Sequence, residues 1–132
     1  NYSSKLADLW QHRGVRDYEL DDIMLLKVGR HIRPRPHFKL IISREEGENN
    51  FLEGYRKEFT HLRPLSHPGP LCLIDGSAND ADLLLAARIV ARFSQGRMAE
   101  QVELELVQPD HPPRRLSVAP LPPTELPESW YL

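Results

Sequence analysis

The sequence has little of several things, and each shortage closes a route. It has one cysteine in 132 residues, Cys72, so no disulfide forms within the chain. That usage suits a reducing, cytoplasmic setting. Apolar runs are short. The longest is Leu83-Leu84-Leu85-Ala86-Ala87, well below the ~20 residues a membrane-spanning helix needs. No signal-peptide pattern is visible at the start, and the sequon Asn1-Tyr2-Ser3 reads as a chance match. Neither sign of charge is in excess: the formal net charge is -2. This argues against a uniformly basic nucleic-acid binder and leaves room for a local basic face. There is no GxSxG, Walker, HExxH or CxxC pattern, so no catalytic constellation, metal or cofactor is expected. There is no internal repeat.

What is present is uneven. The length fits one domain, which at this size buries somewhat under ~70% of the surface its unfolded chain exposes. Arg30 to Arg44 (RHIRPRPHFKLIISR) carries Arg30, Arg33, Arg35, Lys39 and Arg44 and no carboxylate. By residue type alone, two readings stand level. One is a solubilising strand edge that blocks association with other strands. The other is phosphate contact, with planar guanidinium donors held on an extended backbone stiffened by Pro34 and Pro36. The second requires Arg30, Arg33, Arg35 and Arg44 to share a face. Phe38 is the only aromatic residue inside the stretch, so contact with a phosphate backbone is better supported than base stacking.

The periodicity predicts an α+β domain with a mixed, largely antiparallel sheet and packed helices. Residues 3–11 read as a helix capped by Ser3 or Ser4, with Leu6, Leu9 and Trp10 on one face and Gly14 at its end. Residues 20–28 read as a second helix, with Asp21 and Asp22 in its first turn and Gly29 as its stop. Pro34 and Pro36 confine residues 30–36 to an edge strand or extended loop. Phe38–Ser43 reads as a strand and 45–57 as a helix weakened by Gly47 and Gly54. Short strands follow at 59–62 and 71–74. Asn79–Ser94 is the clearest helix, with Leu83, Ala86, Ala87 and Val90 on one stripe. Val102–Val107 and Arg114–Ala119 read as a hairpin. The chain divides into a helical extension (1–28), an α+β domain (29–119) and a proline-rich tail (120–132) docked by Trp130 and Tyr131.

Candidate residues carry alternatives. Six histidines are scattered, and a metal site would need three or four of them to converge. Cys72, between Leu71 and Leu73, reads as core packing, with a sulfur relay as the enzymatic alternative. Glu45, Glu46 and Glu48 could hold a cation, but such a run is more often a solvated helix start that favours the dipole. The first turn of that helix offers free N–H groups that could face phosphate, with the glutamates opposing it. Asn49 either caps a turn or touches a base.

Several motifs resemble the NFACT-R family. Lys39 to Leu52 (KLIISREEGENNFL) is similar to the family's apolar strand, Gly-Arg-Asn turn, Gln-Asn-Asp and Leu. Arg44 matches the arginine and Asn49 the asparagine, while Ser43, Glu45 and Asn50 replace the glycine, the next asparagine and the aspartate. Phe59-Thr60-His61 resembles its Trp-Phe-His. Pro68-Gly69 resembles its Pro-Gly-Ser-His turn, with Pro70 and Leu71 in place of the last two. Leu85-Ala86-Ala87 through Phe93-Ser94 resembles its Ala-Ala to Tyr-Ser helix. Gly29-Arg30-His31 matches a Gly-Arg-His run of the branch found behind tRNA 2-thiouridylase-like PP-loop ATPase domains. The resemblance spans residues 29 to 107. It implies RNA binding, with tRNA as ligand and a PP-loop domain of the same parent protein as neighbour. The residues that would contact RNA are Arg30, His31, Arg33, Arg35, Lys39, Arg44, Asn49 and His61. The alternative is a docking module with no RNA contact.

Overall fold

The computed structural model describes residues 1–13 and 20–132. The chain runs α1 (Tyr2–Arg13), α2 (Leu20–Leu26), β1 (Arg30–Arg35), β2 (Phe38–Ile42), α3 (Glu46–Glu53), β3 (Thr60–Pro64), β4 (Cys72–Gly76), α4 (Asp80–Arg92), β5 (Val102–Val107) and β6 (Arg114–Val118). Two 3-10 turns, Pro123–Glu125 and Glu128–Trp130, form the tail. The six strands make one sheet in the order β1-β2-β4-β3-β5-β6, and every neighbouring pair is antiparallel. The fold is a single α+β domain, as the periodicity predicts.

Alternation along the strands sends side chains to two faces. Leu40, Ile42, Leu62, Ile74, Leu104 and Leu106 pack on one face against Leu83, Ala86, Ala87 and Val90 of α4. Full burial of each large side chain there contributes roughly 1.5–3 kcal/mol. Ile41, Leu71 and Leu73 turn to the other face, where they meet Leu25 and Leu52, with Phe51 and Tyr55 alongside. Helix α4 is fixed at its start by a reciprocal cap. The Asn79 side chain accepts from the Asp82 N–H, and the Asp82 carboxylate accepts from the Asn79 N–H.

The structure differs from the sequence reading at the helix ends. Asn1, not Ser3 or Ser4, caps α1: its Oδ1 accepts from the Ser4 N–H at 2.9 Å. The inward face of α1 is Lys5, Asp8 and Leu9, whereas Trp10 stays 41% exposed. Charged pairing overrides the apolar pattern there. Helix α3 stops at Glu53, ahead of Gly54, because glycine is a poor helix former. Helix α2 stops at Leu26, and Gly29 turns the chain with φ +80, where a Cβ would lie 2.9 Å from the Ile42 carbonyl oxygen. The expected stop at Gly14 falls outside the described residues, as does the side chain of Asp21.

β1 is an edge strand, as its prolines predict. Its free side is met by the tail: Tyr131 bridges to Ile32, and the Leu132 N–H donates to the His31 carbonyl at 3.0 Å. Among the described residues no helix is long and apolar enough to cross a membrane.

Candidate nucleic-acid interface

The eight candidate residues do not form one surface. In the register of β1 on β2, Arg30 stands opposite Ile42 and His31 opposite Ile41. Neighbours therefore turn to opposite faces. Arg30 turns to the α4 side, its guanidinium 4.3 Å from the centroid of the Phe93 ring. Arg33 turns to the α1 side and grips Asp8 with two donors, Nε at 2.6 Å and a terminal nitrogen at 2.8 Å. The shared-face requirement fails, and with it the single phosphate-reading strand.

Three of the eight are interior groups. Lys39 is buried, its Nζ 4.0 Å from Asp8 Oδ1. His31 is 1% exposed, and its Nε2–H is shared between the carbonyls of Val28 (3.0 Å) and Leu25 (3.1 Å). His61 is buried on β3, with Nδ1 3.2 Å from the Phe59 carbonyl. None of these presents a side chain to a ligand as an exposed cation would. Arg35 is exposed but lies over the Trp130 ring, in the tail.

Burial pushes His31 down to about 3, with the Lys39 and Lys5 charges acting the same way. It is neutral in the fold. Unfolded histidine takes up a proton near pH 6.5, so this contribution is complete above that pH. It is lost as pH falls toward 3, by about 1.4 kcal/mol per pH unit. We expect denaturant midpoints to fall between pH 6.5 and 4.5, and His31→Gln to flatten that slope. An unchanged slope in the variant would assign the effect elsewhere.

The remaining candidates, Arg30, Arg44 and Asn49, meet at a cleft of about 630 Å³. Pro68, Gly69 and Pro70 form one wall and Phe93, Gln95 and Arg97 another. A small hydrogen-bond knot holds its floor. The Leu71 N–H donates to both Ser43 Oγ and Asn49 Oδ1, each at 3.1 Å, and the Ser43 N–H donates to the Leu71 carbonyl at 3.0 Å. The Asn49 oxygen thus serves the fold, and its amide nitrogen is what it has to offer a ligand. On the far wall the Gln95 N–H donates to the Pro68 carbonyl at 2.8 Å. Gly69 is needed there: a Cβ would lie 2.7 Å from Ser94 Cβ and from Pro64 Cγ.

Glu45, Glu46 and Glu48 stand at the start of α3, with Glu45 and Glu46 exposed, and Glu45 and Glu48 also make specific bonds there. The Glu45 carboxylate caps α3, accepting from the Gly47 and Glu48 N–H groups at 3.0 and 2.8 Å. Those donors are therefore unavailable to phosphate, which corrects the helix-terminus reading. Glu48 accepts from the Arg44 side chain, the Arg44 N–H and the Gly29 N–H. The Arg44 guanidinium leads these contacts in holding Glu48 down to about 2. Arg44 itself stays 49% exposed at the mouth.

The sequence reading missed Arg97 and gave no role to Arg92. Among the described residues, Arg30, Arg92 and Arg97 have no carboxylate partner; Arg92 donates to the Arg97 carbonyl at 3.1 Å. They gather where α4 ends, a place whose carbonyls favour cations. The spacing of Arg88, Arg92 and Arg97 was the available signal. Cys72 is fully buried, and burial pushes its thiol pKa up, which makes it packing rather than a relay. No group of three metal-ligating side chains occurs among the described residues.

Arg44, Asn49, Pro68-Gly69 and Phe93-Ser94, scattered over fifty residues of chain, all line this one cleft. A family model described as NFACT protein RNA binding domain matches residues 29–131. The chain belongs to this NFACT RNA-binding family. Among solved structures, the C-terminal part of the fibronectin/fibrinogen-binding protein from Streptococcus suis is similar, with a TM-score of 0.64 at 16% identity. The match covers 80% of this chain and 50% of that one. At that identity it speaks for the fold of the NFACT domain alone. Comparison with curated proteins gave no significant match.

Proposed function

We propose that this domain is a non-catalytic RNA-binding module, with tRNA as its ligand, and that the cleft between α3, the 68–70 loop and the end of α4 is where RNA is held. The observation that carries the reading is the convergence of the family-like motifs on one cleft rimmed by Arg30, Arg44 and Arg97. Arg30 and Arg97, which have no carboxylate partner among the described residues, are suited to phosphate, while Arg44 is shared with Glu48. The resemblance to the thiouridylase-associated branch supports the choice of tRNA. It also supports a PP-loop ATPase domain of the parent protein as the neighbour to which tRNA is presented, in the cytoplasm.

The test is tRNA binding at two salt concentrations by the wild-type chain, Arg30→Glu/Arg97→Glu and Arg35→Glu. The cleft variant should lose at least about tenfold in affinity and show a salt slope shallower by about 2. Arg35→Glu, outside the cleft, should bind as wild type. Salt-insensitive binding, or none at low salt, would favour the docking module instead.

A further inference from the structure

The cleft does not end at the Pro68–Gly69 loop. Asn49, Pro68 and Gly69 also line a second hollow of about 490 Å³, together with Arg63, Leu65, Ser66 and His67. Arg63 in turn lines a third, of about 370 Å³, which includes Arg56, Lys57, His61 and His111. Shared lining residues join the three into one track past α3 and onto the half-exposed face of β3 and β5. That face is polar because β3 and β5 turn Arg63 and Glu105 outward while Leu62, Leu104 and Leu106 face α4.

Each part of the track holds cations together with groups that bond base edges. Arg30, Arg44 and Arg97 stand in the first, Arg63 and His67 in the second, Arg56, Lys57 and His111 in the third. Carboxylates accompany them. Glu45 and Glu46 line the first part, Glu105 and Asp110 the third, and Glu53 pairs with both Arg56 and Arg63. Charge is therefore close to balanced along the track. A surface that held RNA by charge alone would be far more basic. Forked donors, imidazoles and carboxylates in shallow hollows instead suit the edges of unpaired bases, which are reachable only where a strand is splayed out.

We infer that this track takes an unpaired RNA strand several nucleotides long, running from the Arg30–Arg97 cleft over the Pro68–Gly69 loop to Arg56 and Lys57. The inference rests on the RNA-binding reading of the cleft and adds the strandedness and length of its ligand. A duplex is a stiff cylinder and cannot follow three hollows around a loop.

The experiment titrates the chain with unstructured single-stranded RNA of about 3 and about 12 nucleotides and with a 12-base-pair duplex, lengths bracketing a typical strand footprint. Proteins are wild type, Arg56→Ala/Lys57→Ala and Arg30→Glu/Arg97→Glu. Arg56, Lys57 and Arg97 are exposed and Arg30 is half-buried over the Phe93 ring, so melting curves accompany each titration to confirm that the variants are folded. The expected result is that the 12-mer binds more tightly than the 3-mer and than the duplex. The Arg56/Lys57 variant should lose about five- to tenfold on the 12-mer and less than twofold on the 3-mer. If Arg56/Lys57 replacement leaves the 12-mer unchanged while the Arg30/Arg97 variant weakens both oligomers, the extended track is wrong and the cleft reading stands. Duplex binding as tight as the 12-mer overturns the unpaired-strand assignment. Salt-insensitive or absent binding to every RNA overturns the cleft reading itself.

Discussion

Replacing Asp8 with asparagine should destabilise the domain by about 3–5 kcal/mol, the cost of removing one partner from a buried ion pair. The Asp8 side chain is 6% exposed. It holds Arg33 through two short bonds, with Lys39 4.0 Å and His12 3.4 Å away. Without the carboxylate, the guanidinium of Arg33 keeps the Pro36 carbonyl as its acceptor and loses its charged partner behind α1. A fall in melting temperature on the order of 10 °C or more follows, with amide exchange in α1 rising first. A loss below about 1 kcal/mol would mean that solvent already screens the cluster. The same geometry warns against Arg33→Glu as a probe of RNA binding. It would set a second carboxylate against Asp8 and report unfolding.

Gly69→Ala should reshape the cleft from inside. Its methyl group would lie 2.7 Å from Ser94 Cβ and 3.1 Å from Ser94 Cα. Backbone at the end of α4 cannot yield as a flexible side chain would. We expect a loss of about 1–3 kcal/mol, as for overpacking, and RNA affinity reduced by more than that stability change explains, because the loop must lift off Gln95. Gly47→Ala is the control: its methyl group meets only the Glu45 carboxylate, 3.1 Å away. Equal behaviour of the two variants in melting and in RNA titration would remove Gly69 from the account of the cleft.

Strand and helix existence was legible because apolar periodicity is local. Leu83, Ala86, Ala87 and Val90 announce α4, and the alternation of Val102 to Val107 announces β5. The basic stretch misled because a strand alternates its faces. Arg30 and Arg33 are close in sequence and end on opposite sides of the sheet. Lys39 and His31 looked like surface groups because sequence does not show the buried Asp8 or the carbonyls of Val28 and Leu25 that receive them. The cleft was half legible. Arg44 and Asn49 were readable through the family-like motif, but their meeting with Arg97 depends on the sheet order, which places β4 beside β2 and carries α4 back across. Nothing in the local pattern encodes that crossing.

The two apolar layers are unequal, and the cleft straddles them. Its α4 wall belongs to the larger core, while Asn49 and Glu46 belong to α3, which rests on the smaller group around Leu25, Ile41, Leu52, Leu71 and Leu73. A helix resting on the smaller core is expected to open locally before the sheet does. A ligand touching both walls would therefore act as a strap: it binds only when α3 is seated, and its binding keeps α3 seated. By reciprocity the two free energies are the same quantity. With RNA in the proposed cleft, a substitution that loosens Leu52 is expected to weaken its binding by the fraction of time α3 is away from the sheet.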